Sequence, residues 1–218
     1  MAHHGRQSWG YGHDRPVLHA VAPGMVHTEH RHLGERWWYV DVGDHEGSPL
    51  LFTENETNAE RLFGVPSATP YVKDGIHEAV VEGRLDRVNP EQAGSKVAAH
   101  LKAVVAPGEA FTVQVRFSDT PHEDPFGDLE AVFEQRIAEA DEFYAAVQRP
   151  GLSDDERRVQ RQALAGLMWS KQFYHYSVEL WLAGDPAQPD PPEARKGGRN
   201  ADWGHLYNLD VLSIPDKW

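Results

Sequence analysis

The hydrophobic period of this chain changes once along its length, and that change limits what it can fold into. Before Asp119 the pattern has a period of two: Phe111, Val113, Val115 and Phe117 share one face, and Thr112, Gln114, Arg116 and Ser118 share the other. That is the signature of a strand with one buried face. From Leu129 the apolar residues Leu129, Val132, Phe133, Ile137, Ala140, Tyr144 and Val147 recur at three- and four-residue steps, the mark of an amphipathic helix. Strands first and helices after predict an α+β chain.

Within the first part, Val97, Ala99, Leu101 and Ala103 alternate with Ala98, His100 and Lys102, and Ala106-Pro107-Gly108-Glu109 turns the chain toward the 111–117 strand, so a hairpin is predicted. Arg36–Val42 and Leu50–Thr53 are rich in aromatic and β-branched residues and are separated by the turn-forming GDHEGSP, which predicts a second hairpin. Ile76–Val81 reads as a further short strand, and Glu54–Gly64 as a short helix capped at Thr57 or Asn58. Ser8–Asp14, with two glycines among its aromatics, has a loop or strand-edge composition. Several short strands with Gly and Pro turns predict a β-sandwich or part of one.

The helical part begins after TPHEDPFGD, where Asp124-Pro125 or Asp128 can cap the helix from Leu129. Arg149-Pro150-Gly151 ends that helix, and Ser153-Asp154-Asp155-Glu156 has the spacing of a capping box. A second helix is predicted to run to about Ala183, roughly 45 Å at 1.5 Å per residue, with Gly184 terminating it. Its second half, with Leu167, Met168, Trp169, Phe173, Tyr174, Tyr176, Val178, Leu180 and Trp181, is apolar on most faces and requires covering on most faces. The Pro- and Gly-rich run after it is a long solvated loop.

Charge and composition exclude several function classes. A net charge of −13, from 34 acidic and 21 basic residues, leaves no basic stripe for a nucleic-acid partner. With 0 cysteines there is neither a disulfide framework nor a thiolate zinc site, and a reducing, cytoplasmic setting is expected. No apolar run has the length of a membrane span, and the N-terminus lacks the apolar core of a signal peptide. No nucleophile elbow, P-loop or strand-coupled dinucleotide motif occurs.

The chemistry-bearing stretch is Asn200–Trp218, in which Trp203, His205, Tyr207, Asn208, Asp210, Asp216 and Trp218 fall on no helical or strand period. Aromatic rings stack on the apolar faces of sugars while Asn and Asp bond hydroxyls, so Trp203, Tyr207, Asn208 and Trp218 are the predicted carbohydrate-binding residues. A chain end packing its tryptophans on a neighbouring helix is the alternative. Asp202, Asp210 and Asp216 are carboxylates of the kind glycoside hydrolysis needs, but nothing around them marks a matched acid and base, and they read as caps, turn residues or hydroxyl acceptors. His27, His30 and His32 in HTEHRH, with Gly24 before them, approach the first cupin motif. The second half of that motif is missing, and Glu29 and Glu35 read as solvated charges. No catalytic residue, metal site or cofactor is therefore predicted.

From Leu129 to Trp218, above all in WSKQFYHYSVELWL and GRNADWGHLYNLDVLSIPDKW, the chain resembles bacterial members of the glycoside hydrolase family 63 group, the α-glucosidase and mannosylglycerate hydrolase-like enzymes. SWGYGHDRP, LLFTENETN and YVKDGIHEAVV extend the resemblance over nearly the whole chain. The resemblance implies an N-terminal β-sandwich, a linker region and an (α/α)6 barrel, with an inverting mechanism run by an Asp general acid and a Glu general base. In the family the Pro-Asp-Lys-Trp motif precedes the segment bearing the acid, so both catalytic carboxylates are expected beyond Trp218. The implied layout is the C-terminal part of the sandwich over residues 1–119, a linker and amphipathic helix over 120–152, and a truncated barrel start over 153–218. On this reading the chain is a fragment inactive by itself, and its helices expose apolar surface. A non-catalytic carbohydrate-binding module and, further off, a cupin-like metal protein are the alternatives.

Overall fold

In the computed structural model, residues 12, 14–43 and 50–213 are described. They form a mixed α+β structure in two compact units, one over 12–126 with 185–190, the other over 127–184 with 191–213. Among the described residues no helix is long and apolar enough to cross a membrane.

The first unit opens with three antiparallel strands, β1 (Val17–Ala22), β2 (Met25–His30) and β3 (Gly34–Val40). Two tight turns set their register. Pro23-Gly24 joins β1 to β2, and Gly24 has a φ of 69° with no room for a side chain, because a Cβ there would lie 2.4 Å from the Val40 carbonyl oxygen. Between β2 and β3 the Leu33 N–H donates to the His30 carbonyl at 3.2 Å and Gly34 follows at φ 68°, a three-residue hairpin loop closed by a left-handed glycine. The chain continues through β4 (Leu50–Thr53), α1 (Ala59–Phe63), α2 (Gly75–Glu82), β5 (Ala93–Gly94), β6 (Lys96–Ala99) and β7 (Val115–Ser118). One sheet has the order β5-β1-β2-β3-β7, and β4 and β6 form a separate pair.

One face of the five-stranded sheet turns Val26 and Val40 into a core with Leu50 and Phe52 of β4, bordered by Trp38, Val97 and Ala99. The opposite side of β4 packs Leu51 against Ala79 of α2 and Val88. β4 is thus buried along its whole length, which is why LLFT reads as continuous apolar sequence rather than as alternation. The chain passes from one sheet to the other at Ser95. Its N–H donates to the Thr53 carbonyl, its Oγ donates to Glu54, and the Asn55 N–H donates to that Oγ.

Both predicted hairpins are corrected. The Ala106–Glu109 turn forms, with the Glu109 N–H on the Ala106 carbonyl at 3.0 Å, but β6 pairs with β4 and β7 pairs with β3. Likewise β3 lies between β2 and β7 while β4 pairs with β6, so 36–42 and 50–53 do not pair with each other. In each case a distant strand offers the edge that the neighbour in sequence was expected to offer. The strand of the 111–117 segment forms only from Val115, and its predicted buried face is the exposed one: Val115 is 50% and Phe117 64% exposed at the sheet edge, while Arg116 and Ser118 are half-buried. Ile76–Val81 is helix, not strand: Asp74 stands at the N-cap position, and Gly83 at φ 72° closes the helix by donating to the Glu78 carbonyl. The glycine stop outweighs the strand preference of Ile and Val; Asp74 makes no side-chain cap bond, its carboxylate being engaged by Asn58 and Arg61. The predicted helix at 54–64 is α1, with the Asn58 side chain accepting from the Arg61 N–H and Gly64 at its C-cap.

The second unit begins with α3 (Leu129–Val147), whose bounds are those of the predicted amphipathic helix, and α4 (Asp154–Ser170). The Ser153–Glu156 capping box is formed in both directions. Arg161 of α4 pairs with Asp141 of α3 and lies 4.6 Å from the centre of the Tyr144 ring. The second helix does not reach Ala183. It stops at Ser170, and the chain continues as β8 (Lys171–Ser177), α5 (Val178–Ala183) and, later, β9 (Tyr207–Leu212). Phe173, Tyr174 and Tyr176 have strong strand preference, and β9 supplies the ladder that they need. The uncovered apolar surface expected of the helices is present: Phe133 is 66%, Leu167 67% and Trp169 82% exposed.

Candidate functional site

Of the predicted carbohydrate-binding residues, Tyr207 and Asn208 lie in β9 of the β8–β9 ribbon and Trp203 in the segment before it. Lys171 lies opposite Leu212, Gln172 opposite Val211 and Phe173 opposite Asp210; the register then shifts, so that Tyr176 faces Asn208 and Ser177 faces Tyr207. Tyr174 and His175 therefore stand against Leu209 alone, a bulge of the kind that re-aims side chains. His175 Nε2 lies 3.0 Å from the Tyr207 hydroxyl, with the rings edge to face at 5.3 Å.

The segment before β9 is held by successive turns. Asn200 takes a left-handed φ of 71°, its carbonyl accepts from the Trp203 N–H at 3.0 Å, and the Trp203 carbonyl accepts from the Leu206 N–H at 2.8 Å. The Leu206 carbonyl in turn accepts from the Val178 N–H at 3.1 Å, tying the segment to the buried start of α5. Asn200 Nδ2 donates to the Tyr176 hydroxyl at 3.5 Å. Trp203 stacks on His205 with centroids 5.8 Å apart and planes 28° from parallel.

Trp203 and Tyr207 are both exposed, as ring platforms must be. Asn208 is adjacent to Tyr207 in β9, and successive strand residues point to opposite faces, so these two do not share a face of the ribbon. The expectation that 200–218 lacks a strand period is corrected for 207–212. Trp218 and Asp216 lie outside the described residues, as do most of Ser8–Asp14 and the turn between β3 and β4. Asp210 lies within β9, neither a cap nor a turn residue, and is engaged by Lys171, with Nζ 3.2 Å from Oδ2.

A second concentration of chemistry lies on the face of the five-stranded sheet opposite the core. The register sets His19, His27, Trp37 and Ser118 in one row across β1, β2, β3 and β7, and Val17, Glu29 and Glu35 in the next. His27 Nδ1 is 3.7 Å from Glu29 Oε1, and its Nε2 is 3.9 Å from Glu35 Oε1. One donor atom from each of His27, Glu29 and Glu35 lies within 4.8 Å of the others. Glu29 and Glu35 also line a shallow depression of about 360 Å³ beside Asp14, Arg15 and Arg31.

Over 183 residues, 78% of the chain, the sequence is 41% identical to the uncharacterized protein YMR196W of Saccharomyces cerevisiae. The chain spans 17% of that protein's length. No family model matches the chain, and no solved structure matches it.

The cupin-like triad His27, His30 and His32 does not assemble. His27 and His30 are three apart in β2 and so point to opposite faces. His32, in the loop, has its N–H on His30 Nδ1 at 3.2 Å and its Nε2 3.2 Å from Asp14 Oδ2. Glu29 and Glu35, read as solvated charges, are the residues that join His27 instead. The signal for them was present as His27-x-Glu29 followed by a loop ending in Gly34, since a three-residue hairpin loop places Glu35 opposite Glu29.

Proposed function

We propose that the chain is part of an inverting glycoside hydrolase of the family 63 group, acting on α-glucosides or related small glycosides. Residues 1–119 belong to its β-sandwich, 120–152 to the linker and 153–218 to the start of its (α/α)6 barrel. Beside the motif resemblance, the observation that carries this reading is the order of parts. Sheets that share one core are followed by α3 and α4, on which Phe133, Ile137, Leu167 and Trp169 are exposed. Helices with such surfaces are stabilised by further helices around them, as in a helical barrel.

Trp203 and Tyr207 present exposed rings suited to a sugar face, and the contact set rests on these two, since Asn208 points to the other face of the ribbon. By the resemblance, the Asp acid and Glu base belong to segments after the Pro-Asp-Lys-Trp motif, so the isolated chain hydrolyses nothing. A cytoplasmic setting fits the 0 cysteines. Release of glucose from α-linked disaccharides is the test. The 218-residue chain gives no turnover, and a longer protein that contains it releases β-glucose first. Turnover by the isolated chain, or none by any such longer protein, would overturn the reading.

A second reading has the exposed Trp203 and Tyr207 in its favour: a carbohydrate-binding module without catalysis. Sugar affinity retained by the isolated chain and lost on Trp203→Ala, with every such longer protein inactive, would favour it.

A further inference from the structure

We propose that His27, Glu29 and Glu35 form a divalent-metal site on the outer face of the five-stranded sheet, suited to a first-row transition ion such as Zn²⁺. The geometry begins with the register. β2 places His27 and Glu29 two residues apart on one face, and the Gly34 hairpin places Glu35 directly opposite Glu29. Two carboxylates in directly opposed cross-strand positions repel each other and weaken the pairing. A divalent cation between them converts that repulsion into attraction, and an imidazole at the same point supplies a nitrogen donor.

The distances suit such an ion. The three donor atoms span no more than 4.8 Å, and the closest histidine–carboxylate approaches are 3.7 and 3.9 Å. Ligand bonds of about 2.0–2.2 Å leave neighbouring donors of a tetrahedral ion about 3.4 Å apart, so small side-chain rotations close the site. The two carboxylates are exposed enough to rotate, and water completes the coordination from the adjoining depression.

His27 is the fixed member. Its side chain is only 13% exposed and sits between His19 and Trp37, each with its ring centre 5.1 Å away. A ligand held by its neighbours loses little freedom on binding. One nitrogen with two carboxylate oxygens selects transition ions over Ca²⁺ and Mg²⁺, which prefer oxygen alone.

Isothermal titration of the purified 218-residue chain with ZnCl₂ tests the site. The chain has 13 histidines, so the variants decide rather than binding itself. One Zn²⁺ per chain is expected, with affinity reduced at least about tenfold in His27→Ala, Glu29→Gln and Glu35→Gln. A His30→Ala/His32→Ala double variant keeps wild-type affinity. The two Glu→Gln changes are at exposed positions, so they report on the site even if His27→Ala disturbs packing. Affinity unchanged in both Glu→Gln variants, or the tightest site lost in the His30/His32 variant, would overturn the proposal. So would an absence of stoichiometric binding, or Ca²⁺ matching Zn²⁺ with no dependence on His27.

Discussion

Arg87 Nε donates to Glu78 Oε2 at 3.0 Å, and this contact neutralises a carboxylate buried on the inner side of α2. Arg84 Nη1 donates to the same oxygen at 3.0 Å but from a more exposed position. Arg87→Ala is therefore expected to lower the unfolding free energy by about 1.5–3 kcal/mol, and Arg84→Ala by no more than about 1 kcal/mol. Urea denaturation of the two variants checks this; equal losses would show that burial does not set the difference.

Gly24 and Gly34 have nearly the same left-handed φ, 69° and 68°, but different surroundings. A Cβ at Gly24 would strike the Val40 carbonyl at 2.4 Å, whereas at Gly34 the nearest atom is the flexible Arg36 Nη1 at 3.7 Å. Gly34→Ala should cost about 1 kcal/mol for the backbone conformation alone, and Gly24→Ala about 3 kcal/mol or more with the added overlap. A Gly24→Ala midpoint no lower than that of Gly34→Ala would contradict the turn geometry.

The Ser153–Glu156 box is sensitive to acid. The Ser153 backbone N–H first, and its hydroxyl second, hold the Glu156 carboxyl below its ordinary value. A group with a depressed folded pKa contributes stability that is full above its unfolded pKa and is lost as pH falls through the folded one. Helicity followed by circular dichroism from neutral pH into the acid range should fall further in the wild type than in Glu156→Gln. Ser153→Ala should remove about 1 kcal/mol from the helix at neutral pH.

Phe52 and Phe133 are the same residue in opposite settings, 0% and 66% exposed. Phe52→Ala opens a cavity in the core shared by the sheets and is expected to cost about 3–5 kcal/mol. Phe133→Ala should change stability by less than about 0.5 kcal/mol, and urea denaturation of the two variants measures the contrast.

What could be read from residues in line is what lies within a few positions along the chain. α3 runs over Leu129–Val147 as its apolar spacing predicts, Asn58 and Gly64 close α1, and Ser153 with Glu156 opens α4. Helix hydrogen bonds and caps join residues three or four apart, so their partners are present in the same stretch of sequence. The β character of LLFT and RWWYV was legible for a related reason, since strand preference belongs to the side chain itself.

Pairing was not legible, because a strand's partner is whichever edge the rest of the fold offers. The 97–103 and 111–117 segments look like a hairpin about a good turn, yet β6 found β4 and β7 found β3. The same rule decided KQFYHYS, which continues a helical pattern in sequence but becomes strand where Tyr207–Leu212 lies beside it.

The candidate sites follow this division. Sequence alone supplied the residue types: the aromatic run from Trp203, and the histidines from His27 to His32 with Glu29 and Glu35, which read there as solvated charges. Tertiary structure decided which of them meet. The period of β9 turned Asn208 away from Tyr207, and the register of β2 against β3 set Glu35 across from Glu29 and beside His27 while His32 turned to Asp14. Side-chain identity is a property of the chain; facing is a property of the strand ladder, and the ladder exists only once distant segments have paired.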